Sequence, residues 1–363
     1  MRRFVYYCSV IAFCLSAYSA EIRTILPIYT PDRVDVAIER GIQFLMGLQN
    51  QEGYIQDHRL GRNKATTMTA LSVMAFAAVG HQPGDRTPQG RAMSRALDYV
   101  LQPERMDRFG YFGGQDASRM YGHGIITLAL TEMLGMGASK AQDALIRDRS
   151  LRGIQLILRS QAAQKEHPKF MGGWRYYPDS RDADLSITVW QLMALRSAKN
   201  AGLGVPKKAI DAAYAYLWRS YYSKRDAAGN PLNPVSGFGY MPGSGPRFAM
   251  TAAGLLAMQV IGGHERPEVK GASEWLMKQN IQRNLNYFYY GIYYYAQGMK
   301  KQGGRYADHS RKIVENLLLA IQNEQEGNWE GSGGEENHGR VYATSLAILS
   351  LSVKHGFLPI YQD

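Results

Sequence analysis

The stretch Gly153-Ile154-Gln155-Leu156-Ile157, followed by Gln161 and then by Gly172-Gly173-Trp174, decides the fold because its pattern recurs along the chain. Five other segments have a similar small-x-x-apolar-apolar opening, although the last begins with a glutamate. They start at Gly41, Ala96, Ala213, Ala272 and Glu315. Successive starts lie 55, 57, 60, 59 and 43 residues apart. Periods of this size are typical of stacked helical units, none of which buries its apolar face alone.

Each opening segment predicts a helix with one polar side. In residues 32–49, for example, Asp35, Glu39 and Arg40 lie opposite an apolar stripe. The second helix of each pair has a different character. Residues 66–79, 248–261 and 341–353 contain no charged side chain, and residues 125–136 contain only Glu132. A helix that is apolar all round is buried on all sides.

The alternation of half-polar and apolar helices predicts an all-α fold. We expect an (α/α)6 toroid of six helical hairpins, with an inner apolar ring inside an outer amphipathic ring. Five of the six inner stretches carry a threonine at a matching place: Thr69, Thr127, Thr188, Thr251 and Thr344. The inner stretches are shorter than the about 20 residues that cross a bilayer.

The N-terminus has the features of a secretory signal peptide. Arg2 and Arg3 precede an apolar run over residues 4–15, and small residues follow it. We therefore expect residues 1–20 to be removed, leaving 21–363 as a single toroid domain, secreted or periplasmic, without an integral membrane span. The alternative is an uncleaved membrane anchor, for which the apolar run is short.

The positions of the cysteines and the net charge exclude some classes of function. Cys8 and Cys14 both lie in the predicted signal peptide, so the mature chain would have no disulfide, no Cys-ligated zinc and no thiol nucleophile. No cofactor is predicted. The formal net charge is +11, and the basic residues are scattered rather than forming a stripe. This favours an anionic envelope polymer or lipid headgroups over nucleic acid.

The repeat resembles the Gln-Trp repeat of squalene–hopene cyclases. Its clearest copies are residues 41–54 with Gln49, 153–174 with Gln161, and 313–329 with Gln322. The chain thus looks like a member of the prenyltransferase and squalene-oxidase repeat superfamily, similar to its exported single-toroid bacterial proteins. The resemblance implies an (α/α)6 toroid over about residues 35–356.

The chain departs from that family in two ways. Squalene–hopene cyclases carry an Asp-x-Asp-Asp-Thr proton donor and span two barrels, whereas this single barrel reads Asp182-Ala183-Asp184-Leu185-Ser186. Protein prenyltransferases bind zinc through Asp, Cys and His, and the mature chain would lack the cysteine. The resemblance therefore does not extend to prenyl transfer by that mechanism.

Asp182 and Asp184 are the first catalytic candidates. Two carboxylates one residue apart could share a proton and raise one pKa. The alternative is that one of them caps the helix that begins there.

His123, in Tyr121-Gly122-His123-Gly124, is the next candidate, and His338 occupies the equivalent place in the sixth hairpin. We expect His123, Asp184 and His338 to lie around one opening, with Tyr121 nearby. The alternative for His123 is a hydrogen bond to a neighbouring loop. No short-range spacing of ligands predicts a metal site.

Residues 287–295 contain seven aromatic residues besides a glycine and an isoleucine. Aromatic walls stabilise cations and line apolar cavities. We predict that His338 contacts a ligand, together with seven aromatic residues from inside and outside this segment: Tyr121, Trp174, Trp190, Tyr240, Tyr289, Tyr290 and Tyr293. Packing between neighbouring hairpins is the alternative for each of them.

Three functional hypotheses follow. The first is binding of an apolar or polyisoprenoid-like molecule in the central cavity. The second is a terpene-cyclase-like enzyme with Asp184, or the Asp182–Asp184 pair, as proton donor. The third is a structural or interaction module for an envelope protein or an anionic envelope polymer.

Overall fold

The computed structural model describes residues 30–60 and 63–362. The predicted signal peptide, with Cys8 and Cys14, lies outside the described residues. The chain divides into two compact units, Met1–Val36 and Ala37–Asp363. Of the first unit, the structure describes residues 30–36, where the Asp32 carboxylate accepts the Val34 and Asp35 N–H groups at the start of the first helix.

The described residues form twelve α-helices, and their extended pairings are isolated bridges. The helices are α1 (Arg33–Gly47), α2 (Ala65–Ala78), α3 (Pro88–Val100), α4 (Arg119–Glu132), α5 (Lys140–Gln161), α6 (Leu185–Asn200), α7 (Lys207–Ser220), α8 (Phe248–Val260), α9 (Pro267–Met277), α10 (Phe288–Gln302), α11 (Gly304–Ile321) and α12 (Gly339–Leu351).

The even-numbered helices form a closed inner ring within the second unit. Each packs against the next even-numbered helix, and α12 packs against α2. Odd-numbered helices α3 to α11 pack on the outside of this ring, and in α1 Gly41 lies against Ile348 of α12. All fourteen residues of α2 and all thirteen of α8 are buried, as the absence of charge in these segments predicted. All thirteen residues of α12 are buried as well, including Arg340, which precedes the predicted uncharged stretch and pairs with Asp57. The predicted all-α toroid is confirmed.

A glutamine at the end of an outer helix ties neighbouring hairpins together. Gln161 Nε2 donates to the carbonyl of Gly172 at 3.0 Å and to that of Ala209, in the next outer helix, at 2.9 Å. The other two copies of the motif make the same pair of bonds. They are Gln49 with Gly53 and Ala92, and Gln322 with Gly327 and Ala37. The last pair joins the sixth hairpin to the first.

The loop glycine of each copy lies directly against the next outer helix. Gly172 has φ +86°, and a Cβ there would overlap the carbonyl of Ala212. Trp174 follows and inserts behind the glycine, donating from its indole nitrogen to the Ile157 carbonyl at 2.9 Å. Glycine is required because the backbone has a left-handed conformation and because no side chain fits.

The recurring threonines hold these loops to the inner helices. Thr188 Oγ1 accepts the backbone N–H of Trp174 at 3.0 Å and donates to the Asp184 carbonyl. In three other hairpins the equivalent threonine hydroxyl accepts the corresponding backbone N–H. The pairs are Ile55 N–H with Thr69, Phe238 N–H with Thr251, and Trp329 N–H with Thr344.

Helix α4 begins at Arg119, six residues before the predicted start at 125, so that prediction was wrong. Gly122 and Gly124 lie inside the helix and allow neighbouring helices to approach closely. A Cβ on Gly122 would overlap the hydroxyl of Thr67, and one on Gly124 would lie 2.8 Å from Trp190 Cβ. These two glycines looked like a helix end because glycine has a low helix propensity, which close packing overrides here.

The C-terminal segment covers one end of the inner ring. Ile360 N–H donates to the Glu132 carboxylate at the end of α4, and the Tyr361 hydroxyl meets that of Tyr293 on α10. Phe357 contacts Gly80, just after α2. Among the described residues, no helix is long and apolar enough to cross a membrane.

We predict that Gly172→Ala lowers the free energy of unfolding by at least ~3 kcal/mol, because both its φ and the Ala212 carbonyl oppose a Cβ. The matched control is Gly202→Ala, since Gly202 has φ +76° but no atom within 4 Å of its Cβ position. The control should lose only ~1 kcal/mol. Urea unfolding followed by circular dichroism measures both; equal losses would contradict the close-approach explanation.

Candidate functional site at the loop rim

The long loops and the N-terminal ends of the inner helices lie on one face of the ring, which we call the loop rim. Loops here cap the inner helix of the preceding hairpin. The Asp116 carboxylate accepts the Thr67 N–H at 2.9 Å, in α2. The Glu335 carboxylate accepts the N–H groups of Tyr289 and Tyr290 at 2.8 and 3.0 Å, in α10. Carboxylates at these positions accept hydrogen bonds from the free N–H groups at the helix N-terminus. Their negative charge also interacts favourably with the positive end of the helix dipole.

Asp184 is fully buried and is the N-cap of α6. Its Oδ1 accepts the Ile187 N–H at 2.9 Å and the Ser186 hydroxyl at 2.6 Å. Its Oδ2 accepts from Arg175 Nη1 at 3.0 Å and from the Tyr240 hydroxyl at 3.1 Å. Burial raises the pKa of the Asp184 carboxyl, and these hydrogen bonds and the guanidinium oppose that effect.

Arg175 links the two aspartates that the sequence singles out. Its Nε lies 3.2 Å from Asp182 Oδ2, while its Nη1 binds Asp184. The neighbouring Tyr176 and Tyr240 hydroxyls are 2.8 Å apart. The two carboxylates therefore share a guanidinium counter-ion rather than a proton, an arrangement that suits binding more than proton donation.

The Arg175 ion pairs open onto a partly exposed aromatic surface. The Asp182 side chain is 33% exposed and Tyr177 is 50% exposed. The Arg119 guanidinium lies 5.1 Å from the centre of the Tyr177 ring and 5.7 Å from that of Tyr176. We define the rim patch as Arg119, Tyr121, Arg175, Tyr176, Tyr177, Asp182 and Tyr240. It offers aromatic faces, hydroxyl groups, two guanidinium groups and one accessible carboxylate.

Tyr121 connects the rim patch to the ring axis. Its hydroxyl donates to Ser186 Oγ at 2.5 Å, so it lies one hydrogen bond from Asp184. Tyr290, on the opposite side, donates to the Ser186 carbonyl at 3.3 Å. Side chains from α4, α6 and α10 thus meet at one point, although they are far apart in sequence.

His123 is directed away from this point. It is fully buried, and its Nδ1 accepts the backbone N–H of Phe112 at 3.4 Å, while its Nε2 lies 3.2 Å from the Gly153 carbonyl. In the second hairpin His123 thus does what a threonine hydroxyl does in four others. The structure does not bring His123 to Asp184, and His123 instead makes the alternative contact, a hydrogen bond to a neighbouring loop.

His338 lies near a second group on the rim. Its ring is 4.9 Å from that of Tyr342, whose hydroxyl donates to Glu335 at 3.3 Å. Glu335 is fully buried, and desolvation raises its pKa to about 7. Among the described residues, no group of three or more His, Cys, Asp or Glu side chains is arranged to hold a metal ion.

Aromatic side chains fill the axis of the inner ring below Tyr121. Trp190 stacks on Tyr293 with ring centres 5.9 Å apart and planes at 12°, and it meets Tyr294 edge-on at 5.6 Å. Trp190 and Tyr293 are at most 1% exposed. A cavity lies elsewhere, between α10, α11 and α12 beside Lys300.

The remaining predicted contacts are in packed surroundings. Trp174 is fully buried behind its loop glycine, as described above, and Tyr289 is fully buried against Phe288. Of the predicted site residues, the structure therefore brings together Tyr121, Asp182, Asp184, Tyr240 and Tyr290. Hydrogen bonds or ion pairs connect each of the other four to Asp184, either directly, through Arg175, or through Ser186.

Sequence reasoning missed Arg175, the residue on which the rim patch depends. It also did not predict that Asp57, Asp116 and Glu335 are buried helix caps. Asp57 pairs with Arg340 at 2.9 Å across the junction of the first and sixth hairpins. A cap that acts on the neighbouring hairpin has no local sequence signal. Arg175 did have one, since it directly follows the Gly-Gly-Trp motif.

The fold is shared with solved structures of diverse activity. An inactive variant of the α-1,6-mannanase GH76A of Salegentibacter sp. HEL1_6, in complex with α-1,6-mannotriose, aligns with a TM-score of 0.61 at 10% identity, covering 91% of this chain and 100% of that one. The type II terpene cyclase MstE of Scytonema, in complex with geranylgeranyl dihydroxybenzoate, aligns with a TM-score of 0.53 at 14% identity, covering 90% and 98%.

Rex8A of Paenibacillus barcinonensis, complexed with an arabinofuranosyl-xylotetraose, aligns with a TM-score of 0.54 at 14% identity, covering 92% of this chain and 94% of that one. No protein-family model matches this sequence, and no curated protein does. These neighbours share the toroid fold with this chain. Fold similarity at this level of identity leaves function to be argued from the site.

We predict that His123 stays neutral to about pH 4, because desolvation lowers its pKa to that value. Since its pKa is lower in the folded state than in the unfolded state, its contribution to stability is complete above about pH 6.5 and is lost as the pH falls toward 4. The loss should be on the order of 2–3 kcal/mol.

Urea unfolding of the wild type and of His123→Gln at pH 7 and pH 4.5 measures this, because the difference between the two proteins isolates His123 from other titrating groups. The difference should shrink at the lower pH. A constant difference would show that His123 does not act through its neutral ring.

Proposed function

We propose that this chain is a ligand-binding toroid that holds an oligosaccharide on the rim patch. The observation that carries the proposal is the cluster of Tyr176, Tyr177 and Tyr240 around the Arg175–Asp182 ion pair. Tyrosine faces pack against the C–H faces of sugar rings, and guanidinium and carboxylate groups bond hydroxyls in pairs. Partly exposed side chains supply all three contacts here.

The filled axis supports a ligand at the rim rather than inside the ring. An extended apolar chain would have to displace Trp190 and Tyr293, which are stacked on each other and buried. Two fold neighbours, the mannanase GH76A and Rex8A, are complexed with oligosaccharides. Asp184 would position Arg175 for the ligand, since both of its oxygens are engaged within the protein.

The aromatic axis favours a second candidate, the polyisoprenoid ligand that the sequence suggested. Trp190, Tyr290, Tyr293 and Tyr294 form one continuous aromatic group, and the cyclase MstE is complexed with a geranylgeranyl compound. This reading needs the axis to open. A cyclase-like reaction would further need Asp184 to give up a proton while it faces Arg175, so we rank it below binding. Export to the periplasm or medium, on the basis of residues 1–20, remains part of the proposal.

We predict that Tyr177→Ala and Arg175→Met each weaken binding of α-1,6-mannotriose or xylotetraose at least ~10-fold, because each removes a direct ligand contact. Isothermal titration calorimetry measures the affinity. Tyr222→Ala is the matched control, since Tyr222 is 47% exposed but lies at the end of α7 outside the rim patch. It should bind like the wild type.

Titration with geranylgeraniol in detergent separates the two candidates. Binding of the isoprenoid but of neither sugar, with loss in Trp190→Ala and not in Tyr177→Ala, would replace the proposal by the second candidate. Binding of none of these probes would reject both and leave the interaction-module hypothesis.

A further inference from the structure

The end of the ring opposite the loop rim has an unusual charge. Here the inner helices end and the outer helices begin. We define the basic face as the last four residues of each inner helix, the connection, the first four residues of the following outer helix, and residues 352–362. Contacts bring these segments to one side, since Gln259 at the end of α8 bonds Gln302 at the end of α10 at 3.1 Å, and the C-terminal segment contacts Glu132.

Twelve basic and five acidic residues occupy the basic face, a net charge of +7 out of +11 for the chain. The basic residues are Arg86, Arg91, Lys140, Lys199, Lys207, Lys208, Arg266, Lys270, Lys300, Lys301, Arg305 and Lys354. The acidic residues are Asp85, Glu132, Asp143, Glu265 and Glu268. Of these acidic residues, Glu132 and Glu268 are buried, and Glu265 pairs with Lys270. Two further carboxylates just outside the basic face, Asp211 and Glu274, pair with Lys207 and Arg305.

The loop rim is nearly neutral by the same measure. The segments that run from the last four residues of each outer helix to the first four of the following inner helix hold eighteen basic and seventeen acidic residues. The excess positive charge of the chain is therefore concentrated at one end of the ring, and a general excess of lysine and arginine does not explain it.

Helix stability does not explain the placement either. Lys199, Lys300 and Lys301 lie in last turns, where a cation is favourable. Lys140 and Lys208, however, lie in the first turns of α5 and α7, where the helix dipole disfavours a positive charge. Helix α7 begins Lys-Lys-Ala-Ile and has no acidic residue in its first turn, and only the first of these lysines, Lys207, pairs with Asp211 one turn later. The exposed lysines Lys140 and Lys208 thus go against the preference for acidic residues in a helix first turn. Such a departure indicates that these lysines serve a function other than stabilising the fold.

We propose that the basic face docks on an anionic lipid bilayer surface. Its charges are distributed over all six segments around the ring end rather than along a groove, which matches a planar anionic surface better than a single polymer strand. Eight of the twelve basic residues are lysines, whose long flexible side chains adapt to headgroups without fixed bidentate geometry. Phe357, 50% exposed between Lys354 and the C-terminus, adds one apolar contact. The loop rim then faces away from the bilayer.

The test is sedimentation of residues 21–363 with vesicles. Vesicles of phosphatidylcholine with 30% phosphatidylglycerol should bind the protein in low salt, vesicles of phosphatidylcholine alone should not, and 0.5 M NaCl should release it. The double variant Lys140→Glu/Lys208→Glu should reduce the partition coefficient at least ~100-fold, since it removes two positive charges and adds two negative ones. Its melting temperature should be unchanged or higher, because glutamate suits a helix first turn.

The matched control is Lys169→Glu/Arg181→Glu, which makes the same change in net charge at two exposed positions on the loop rim. It should keep at least a third of the wild-type partition coefficient. An equal loss in both variants would overturn the proposal, because net charge alone would then drive binding. Binding to soluble dextran sulfate without binding to anionic vesicles would also overturn it in favour of a polymer.

Discussion

The structure depends on the contact between each outer-helix glutamine, its loop glycine and the next outer helix. One amide group, as in Gln161, fixes two carbonyls that belong to consecutive hairpins. The glycine beside it brings the loop backbone against the following helix. In the last copy, Gln322 reaches Ala37 and thereby joins the end of the chain to the beginning of the ring. Closure covers the apolar faces of the first and last hairpins with each other, whereas an open solenoid would have to cap them.

This tie determines where a functional site can form. Because the loops are held at one end of the ring, the N-terminal ends of the inner helices meet there, and their N–H groups need partners. Asp116, Asp184 and Glu335 supply carboxylates, and each one is buried. Of these three carboxylates, only that of Asp184 forms an ion pair with a cation of its own loop, Arg175. The rim patch thus develops from the general need to cap six converging helices.

The two ends of the ring differ in physical character. The loop rim is nearly neutral, aromatic and rich in hydroxyls, whereas the opposite end is basic and closed by the C-terminal segment. Trp190 and the tyrosines of α10 pack in the axis between the two ends and separate them. A ligand at the rim and a bilayer at the opposite end would therefore act independently, since neither surface includes residues of the other.

The sequence by itself determined the helical hairpins, their number and their closure into a toroid, because periodic apolar patterns report burial directly. It also identified Asp184, Tyr240 and Tyr121, since polar residues beside inner helices are few. The tertiary structure decided which of these meet. Two residues along helix α4 turn the side chain by about 200°, so His123 is directed outward to Phe112 and Gly153 while Tyr121 points to the axis. The pairing of Arg175 with both aspartates depends on how their shared loop folds, and the charge of the basic face depends on residues that come together only when the ring closes. Because the residues of the basic face belong to different segments of the chain, no local sequence pattern predicts that they lie together.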